Sequence, residues 1–295
     1  MRITPTIQNR NFLEDLALSK ARMDRSQEQM SSGLRVNSLA DDPYAAEQAS
    51  EISAVLSEND EFIANNDQLI SKLTYLDNTL QGLIRTMDTA RTLAAQALSG
   101  TTTAESRATL VEGADWVRKQ VLSIANAQYN GVFMFSGTRR PVGDAFVDNA
   151  PGFTYNGNDE AIYQRLDRST TIQTNITGQD LFGDPPAVLD VLDTMKTAIQ
   201  NNDTAAIRAA ADDLELLSER VNSQAATVGN RVQLAENTQS RLREHNLALK
   251  KESSRLVDAN LVESISAFNL ADQAVKVSLS SQARIEQLSL LDYLR

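Results

Sequence analysis

The chain has 295 residues and carries 39 acids against 28 bases, a formal charge of −11 that argues against a general nucleic-acid binder, which needs a basic face to neutralise phosphates. It has no cysteine, which excludes disulfides, zinc–cysteine sites and thiol catalysis. Aromatic residues make up only 5 % and there are 12 glycines and 6 prolines, so although the length allows two domains, the composition suits long helices better than a compact enzyme.

The start, MRITPTIQNRNF, lacks the apolar stretch of a secretory signal, and no run of about 18 apolar residues exists anywhere, so neither an export leader nor a membrane span is expected. Residues 1–35 mix Arg2, Arg10, Lys20, Arg22, Arg25 and Arg35 with Glu14, Asp15, Asp24 and Glu28, the pattern of a solvated helix surface. The stretch MSSGLRVNSLADDPYAA, Met30 to Ala46, then interrupts the helical pattern. Gly33 and the Asn37-Ser38 pair permit a change of direction, and Asp41 or Asp42 caps a helix whose first residue is Pro43.

From Ile52 to Ala97, steps of 3 and 4 land on fourteen positions of which twelve are apolar. Such unbroken heptads predict coiled-coil-like packing along a helix of roughly 70 Å. Asn59 and Asn66 occupy one heptad position, where they either fix register as buried amides or sit on a splayed end. A second helix is predicted from Ala104 to Gln128, with Gly100 at a helix C′ position before it and Thr103 and Ser106 supplying capping hydroxyls.

Between Gly131 and Pro186 lie seven of the twelve glycines, four of the six prolines and five of the eight phenylalanines, so this stretch is not helical. GVFMFSG, GFTYNGNDEAIYQRL and TTIQTNITG read as short strands, with a hairpin turn expected at Asn156-Gly157. Helical periodicity returns after Pro185-Pro186, breaks briefly at QNNDTAA, and resumes with Leu214, Val221, Val228, Ala235, Leu242, Leu249 and Leu256 at every seventh position. A final stripe runs through Val257, Leu261, Ile265, Phe268, Ala271, Val275, Leu279 and Ala283, followed by Leu288, Leu290, Leu291 and Leu294. The expected fold is mainly α: a long antiparallel helical bundle or coiled-coil rod formed by the N- and C-terminal parts, with a small β-rich inserted domain.

Chemistry is hard to place on this chain. The lone histidine, His245, lies on a long helix with no second histidine or cysteine to complete a site, and no Walker loop or dinucleotide fingerprint occurs. The adjacent carboxylates Asp41-Asp42 and the GNDE run at 157–160 read as a cap and a turn, because sequence neighbours seldom converge on one ion. No enzyme activity, metal or cofactor is therefore expected. Residues 258–295 hold five acids and three bases, so helix association is favoured over a membrane surface.

Four stretches together resemble the bacterial flagellin family: SSGLRVNSLADD (31–42), ARTLAAQALSGT (90–101), YNGVFMFSG (129–137) and DANLVESISAFNLADQAVKVSLSSQARIEQLSLL (258–291). Three features resemble the branch that joins hook to filament more than filament-forming flagellin: the MRIT start, Asp41-Asp42-Pro43 and the LSLLDYLR ending. A short flagellin that builds the filament is the alternative. The resemblance implies export through the flagellar type III route without a cleaved signal, and an extracellular place in the flagellar axis. It also implies a homo-oligomeric ring whose partners are hook-associated protein 1, flagellin and a cytoplasmic export chaperone. It further implies a terminal inner coiled coil (1–40 and 259–295), a helical rod (41–130 and 187–258) and an exposed β-rich part (131–186). The subunit interface would then involve Leu34, Arg35, Phe268, Leu270, Val275, Leu279, Leu288 and Leu291, with Arg91, Leu93 and Gln96 matching a flagellin protofilament contact. Thr92 stands where flagellins carry an acid, so the immune-receptor recognition known at that contact is not carried over.

Overall fold

The computed structural model describes residues 5–99, 103–149, 152–183 and 187–293, with the side chains of residues 5, 6, 8 and 285–293 outside the description. The MRIT stretch, Gly100, Pro185-Pro186 and the side chains of Leu288 and Leu291 thus lie outside the described residues. Six α-helices are present among the described residues: α1 (Pro5–Ser32), α2 (Pro43–Ala97), α3 (Ala104–Ala125), α4 (Val188–Asn201), α5 (Thr204–Val257) and α6 (Leu261–Tyr293). Among the described residues between α3 and α4 lie six short strands: β1 (Gln128–Tyr129), β2 (Val132–Phe133), β3 (Phe146–Asp148), β4 (Phe153–Tyr155), β5 (Tyr163–Arg165) and β6 (Thr171–Gln173). The fold is mainly α with two-stranded hairpins, as the periodicity predicts.

The chain divides into two compact units, 59–243 and a second made of 1–58 with 244–295. The first has one continuous apolar core. Leu69, Leu73, Leu76, Leu80, Leu83, Met87, Ala90 and Ala94 of α2 are all buried, which follows from the 3–4 spacing of the sequence. Ala114, Val117 and Val121 of α3 and Leu214, Leu217, Val221 and Val228 of α5 complete the helical part of that core. α3 starts as expected, with the Thr103 hydroxyl accepting from the Ser106 N–H at 3.2 Å.

The strands pair as three separate antiparallel hairpins, β1–β2, β3–β4 and β5–β6. Phe135, Phe146, Leu166, Leu181 and Phe182 send their side chains into the same core as the helices. Phe146 sits at the centre of this aromatic group, stacked on Tyr155 with ring centroids 4.7 Å apart and edge-on to Phe182 at 5.2 Å.

The hairpin turn expected at Asn156-Gly157 is not there. Asn156 instead extends the β3–β4 pairing by donating to the Ala145 carbonyl at 2.8 Å. Gly157 is glycine for another reason: a Cβ there would come within 2.4 Å of the Tyr155 ring. The Asn-Gly pair that does turn a hairpin is Asn130-Gly131, between β1 and β2, with φ of 50° and 75°. Both positive φ values match a tight turn whose twist suits two short strands.

Asn66 is fully buried, and its amide donates to the Leu166 carbonyl at 3.0 Å. That contact ties α2 to the β5–β6 hairpin and excludes the splayed-end reading for this residue. Arg118 of α3 provides a second tie. Its guanidinium is bidentate on Asp148 at 2.8 Å, donates to the Gly152 carbonyl at 3.0 Å, and its Nε lies 2.7 Å from Asp193, off the line of a hydrogen bond.

In the other unit α1 packs antiparallel on α6. Phe12, Leu16, Ser19, Met23, Ser26 and Met30 face Ser264, Phe268, Ala271, Val275, Ser278 and Gln282, both sets at steps of 4 and 3 and all shielded from solvent relative to their neighbours. Gln282 Nε2 donates to Asn9 Oδ1 at 2.9 Å near one end of this seam, and Ser264 Oγ lies 3.4 Å from Gln29 Oε1 near the other.

Candidate assembly interface

The interruption between α1 and α2 is a built joint. Gly33 ends α1 with φ +74°, its N–H donating to the Gln29 carbonyl at 2.9 Å, a left-handed cap that a residue with a Cβ adopts only with strain. Leu34 then bridges antiparallel to Asp258, with Arg35 N–H donating to Val257 O at 2.7 Å and Ala259 N–H to Gly33 O at 2.9 Å. The break near the N-terminus is therefore stitched to a second break, the three residues between α5 and α6. Asn260 caps α6 by accepting from Val262 N–H at 3.2 Å. The sequence reading missed this pairing, although Asp258-Ala259-Asn260 carries a capping signal.

The two aspartates of the joint have different tasks. Asp42 is the N-cap of α2, accepting from the Ala45 N–H at 3.1 Å, with Pro43 as first helical residue. Asp41 closes the preceding loop by accepting from the Ser38 hydroxyl and N–H at 3.0 and 2.9 Å and from the Asn37 N–H at 3.2 Å. Hydrogen bonds hold both carboxyls below their usual range, led by the Ser38 hydroxyl for Asp41 and by the Ala45 N–H for Asp42. Asn37 also donates to the Leu34 carbonyl at 3.2 Å. Arg35 reaches Asp42 at 3.2 Å and the Leu256 carbonyl at 2.6 Å. Around this joint Leu39 and Tyr44 stand exposed beside a groove lined by Leu34, Val36, Pro43, Ala46 and Val257.

The expected interface residues on α6 separate into two groups. Phe268 and Val275 lie half-buried in the seam with α1, whereas Leu270 is 68 % and Leu279 50 % exposed. Val262 and Val277 of α6 and Leu13 and Leu18 of α1 are exposed as well. Each helix thus fills its intramolecular stripe and keeps a further set of large apolar side chains in water, an arrangement typical of interaction surfaces.

On α2, Arg91 is exposed and 3.5 Å from Glu215, and Gln96 is exposed. Leu93 is half-buried, its methyls 3.1 and 3.2 Å from where a Cβ on Gly113 would stand, so it packs against α3. His245 lies exposed on α5. Among the described residues no cluster of three His, Cys, Asp or Glu side chains is placed to hold a metal, and no helix is long and apolar enough to cross a membrane.

Residues 4–140, which include α1, the joint, α2, α3 and the Asn130-Gly131 hairpin, match the family model of the bacterial flagellin N-terminal helical region. The N-terminal part of the chain is thus similar to the flagellin family. Flagellar hook-associated protein 3 of Salmonella typhimurium is 25 % identical over 98 % of both chains. Flagellin B of Helicobacter pylori is 31 % identical, over only 39 % of this chain and 23 % of its own. Among solved structures, a putative flagellar hook-associated protein from Vibrio parahaemolyticus superposes with a TM-score of 0.69 at 20 % identity, covering 74 % of this chain and all of its own. The chain therefore shares the length and fold of hook-associated relatives, and shares with flagellin B only a part.

Proposed function

We propose that the chain is a structural adaptor of the bacterial flagellum that joins the hook to the flagellin filament. The observation that carries this reading is similarity over 98 % of both chains to a hook-associated protein, against partial similarity to a flagellin. Assembly proceeds by helix packing with no chemical step. Residues 1–40 and 259–295 form the inner coiled coil, 41–130 and 187–258 the outer helical part, and 131–186 the outward β-rich part. Copies form a closed ring around the flagellar axis through heterologous contacts, which repeat about an axis without two-fold symmetry. The exposed apolar residues Leu270, Val277 and Leu279 of α6, with Leu13 and Leu18 of α1, supply the repeating contact. Leu34, Arg35, Arg91 and Gln96 contribute from the joint and α2, as do Leu288 and Leu291 beyond the described side chains.

In this reading the chain passes unfolded through the flagellar type III route, escorted by an export chaperone, and works outside the cell between hook-associated protein 1 below and flagellin above. Purified protein separates it from a filament-forming flagellin. Under mild salting-out the adaptor stays as monomers or short rings; growth into long filaments overturns the proposal.

A further inference from the structure

A groove of 460 Å³ in the 59–243 unit is lined by Lys72 of α2, Tyr129 and Asn130 of the first hairpin, and Gly137, Arg139 and Arg140 of the loop after it. Lys72, Arg139 and Arg140 form no ion pair among the described residues, although the chain as a whole has 39 acids for 28 bases. Arg139 and Arg140 are exposed, whereas Lys72 is half-buried, and the loss of water around its ammonium pulls its pKa down. A carboxylate near the rim, Glu160, already accepts from the Thr138 hydroxyl at 2.6 Å. Nearby, Arg231 is spent on the Asn175 carbonyl at 3.1 Å and the Gln173 side chain at 3.3 Å. A positive groove left open in an acidic protein, with one cation already partly stripped of water, offers a place to an anion.

We infer that this groove receives a carboxylate from a second copy of the chain, so that Lys72, Arg139 and Arg140 form a polar contact between neighbours in the ring. The same unit carries the complement, a groove of 410 Å³ lined by Asp190 and Asp203 with Thr194, Thr197 and Asn201. Asp193, which also lines it, is held by Arg118, and Asp203 accepts from the Ala205 and Ala206 N–H groups at 3.1 Å, which leaves the exposed Asp190 as the side chain offered outward. Opposite charges on two grooves of one unit suit a heterologous contact, in which each copy gives one and receives the other, and they set orientation as much as affinity.

This inference rests on the ring reading above, and one experiment distinguishes their failures. Flagella assembled from a mixture of isotopically heavy and light chains are treated with a carbodiimide, which joins an amine to a contacting carboxylate as an amide, and the products are mapped by mass spectrometry. The expected product joins Lys72 of one copy to the Asp190–Asp203 segment of another, and falls about tenfold in R139E/R140E protein whose helix content is unchanged. Links between copies at other sites, with Lys72 unlinked or joined to a different protein, overturn this contact and leave the ring intact. No link between copies anywhere overturns both.

Discussion

The Arg35 guanidinium donates to the backbone carbonyl of Leu256, 221 residues away in the chain, at 2.6 Å while also holding Asp42 at 3.2 Å. It joins the end of α5 to the cap of α2 at the place where α1 stops. R35A removes both contacts and leaves the Leu256 carbonyl to water. The expected result is faster hydrogen exchange at the amides of Arg35 and Ala259, corresponding to a local loss of about 1 kcal/mol, with the thermal midpoint of the 59–243 unit unchanged.

Phe268 and Leu279 lie on one helix and answer differently to the same substitution. F268R places a charge in the seam with α1, so the α1–α6 pair loses about 1–2 kcal/mol and melts earlier by circular dichroism. L279R, at a residue 50 % exposed, leaves the melt of the isolated protein as it was but stops incorporation into flagella. Equal melting of the two variants would contradict this division.

Asn66 is a buried amide whose Nδ2 donates to Leu166, while its Oδ1 has no partner. N66A leaves the Leu166 carbonyl without its donor and costs about 2 kcal/mol in urea unfolding. An unchanged midpoint would mean that the link between α2 and the β5–β6 hairpin contributes nothing.

Tyr155 provides the pH-dependent test. Its hydroxyl lies 2.8 Å from the Phe135 carbonyl and 2.9 Å from the Asn158 carbonyl, and it donates to either. Burial pushes the phenol up from 10.0 to about 12. The folded state holds this proton more tightly than the unfolded state, so the stability it contributes is complete below pH 10.0 and is lost as the pH rises towards about 12. A spectrophotometric titration is expected to show a tyrosine ionisation step near pH 12 that Y155F abolishes.

Where helices dominate, the sequence is a good guide. The steps from Leu69 to Ala94 mark the buried stripe of α2 directly, because a 3–4 spacing has one helical solution. The joint was legible only by halves. Gly33, Asp41, Asp42 and Pro43 signal a break and a cap, but that break pairs with Asp258 through backbone groups that leave no trace in side-chain pattern. The hairpins were legible as strands but not in their turns, since the Asn156-Gly157 pair answers to the Tyr155 ring and the Asn130-Gly131 pair is the one that turns. Periodicity assigned Phe268 and Leu279 to one surface, yet only the partner helix decides that Phe268 faces inward while Leu279 faces water. The Lys72 groove has no sequence signature, because it is assembled from α2, a hairpin turn and a loop.

The central claim is tested most directly by electron microscopy of flagella from a strain lacking this chain alone. The adaptor account predicts complete hooks without filaments, flagellin lost to the medium, and restoration of filaments by the wild-type chain but not by L279R. Filaments still attached to hooks in that strain would contradict it.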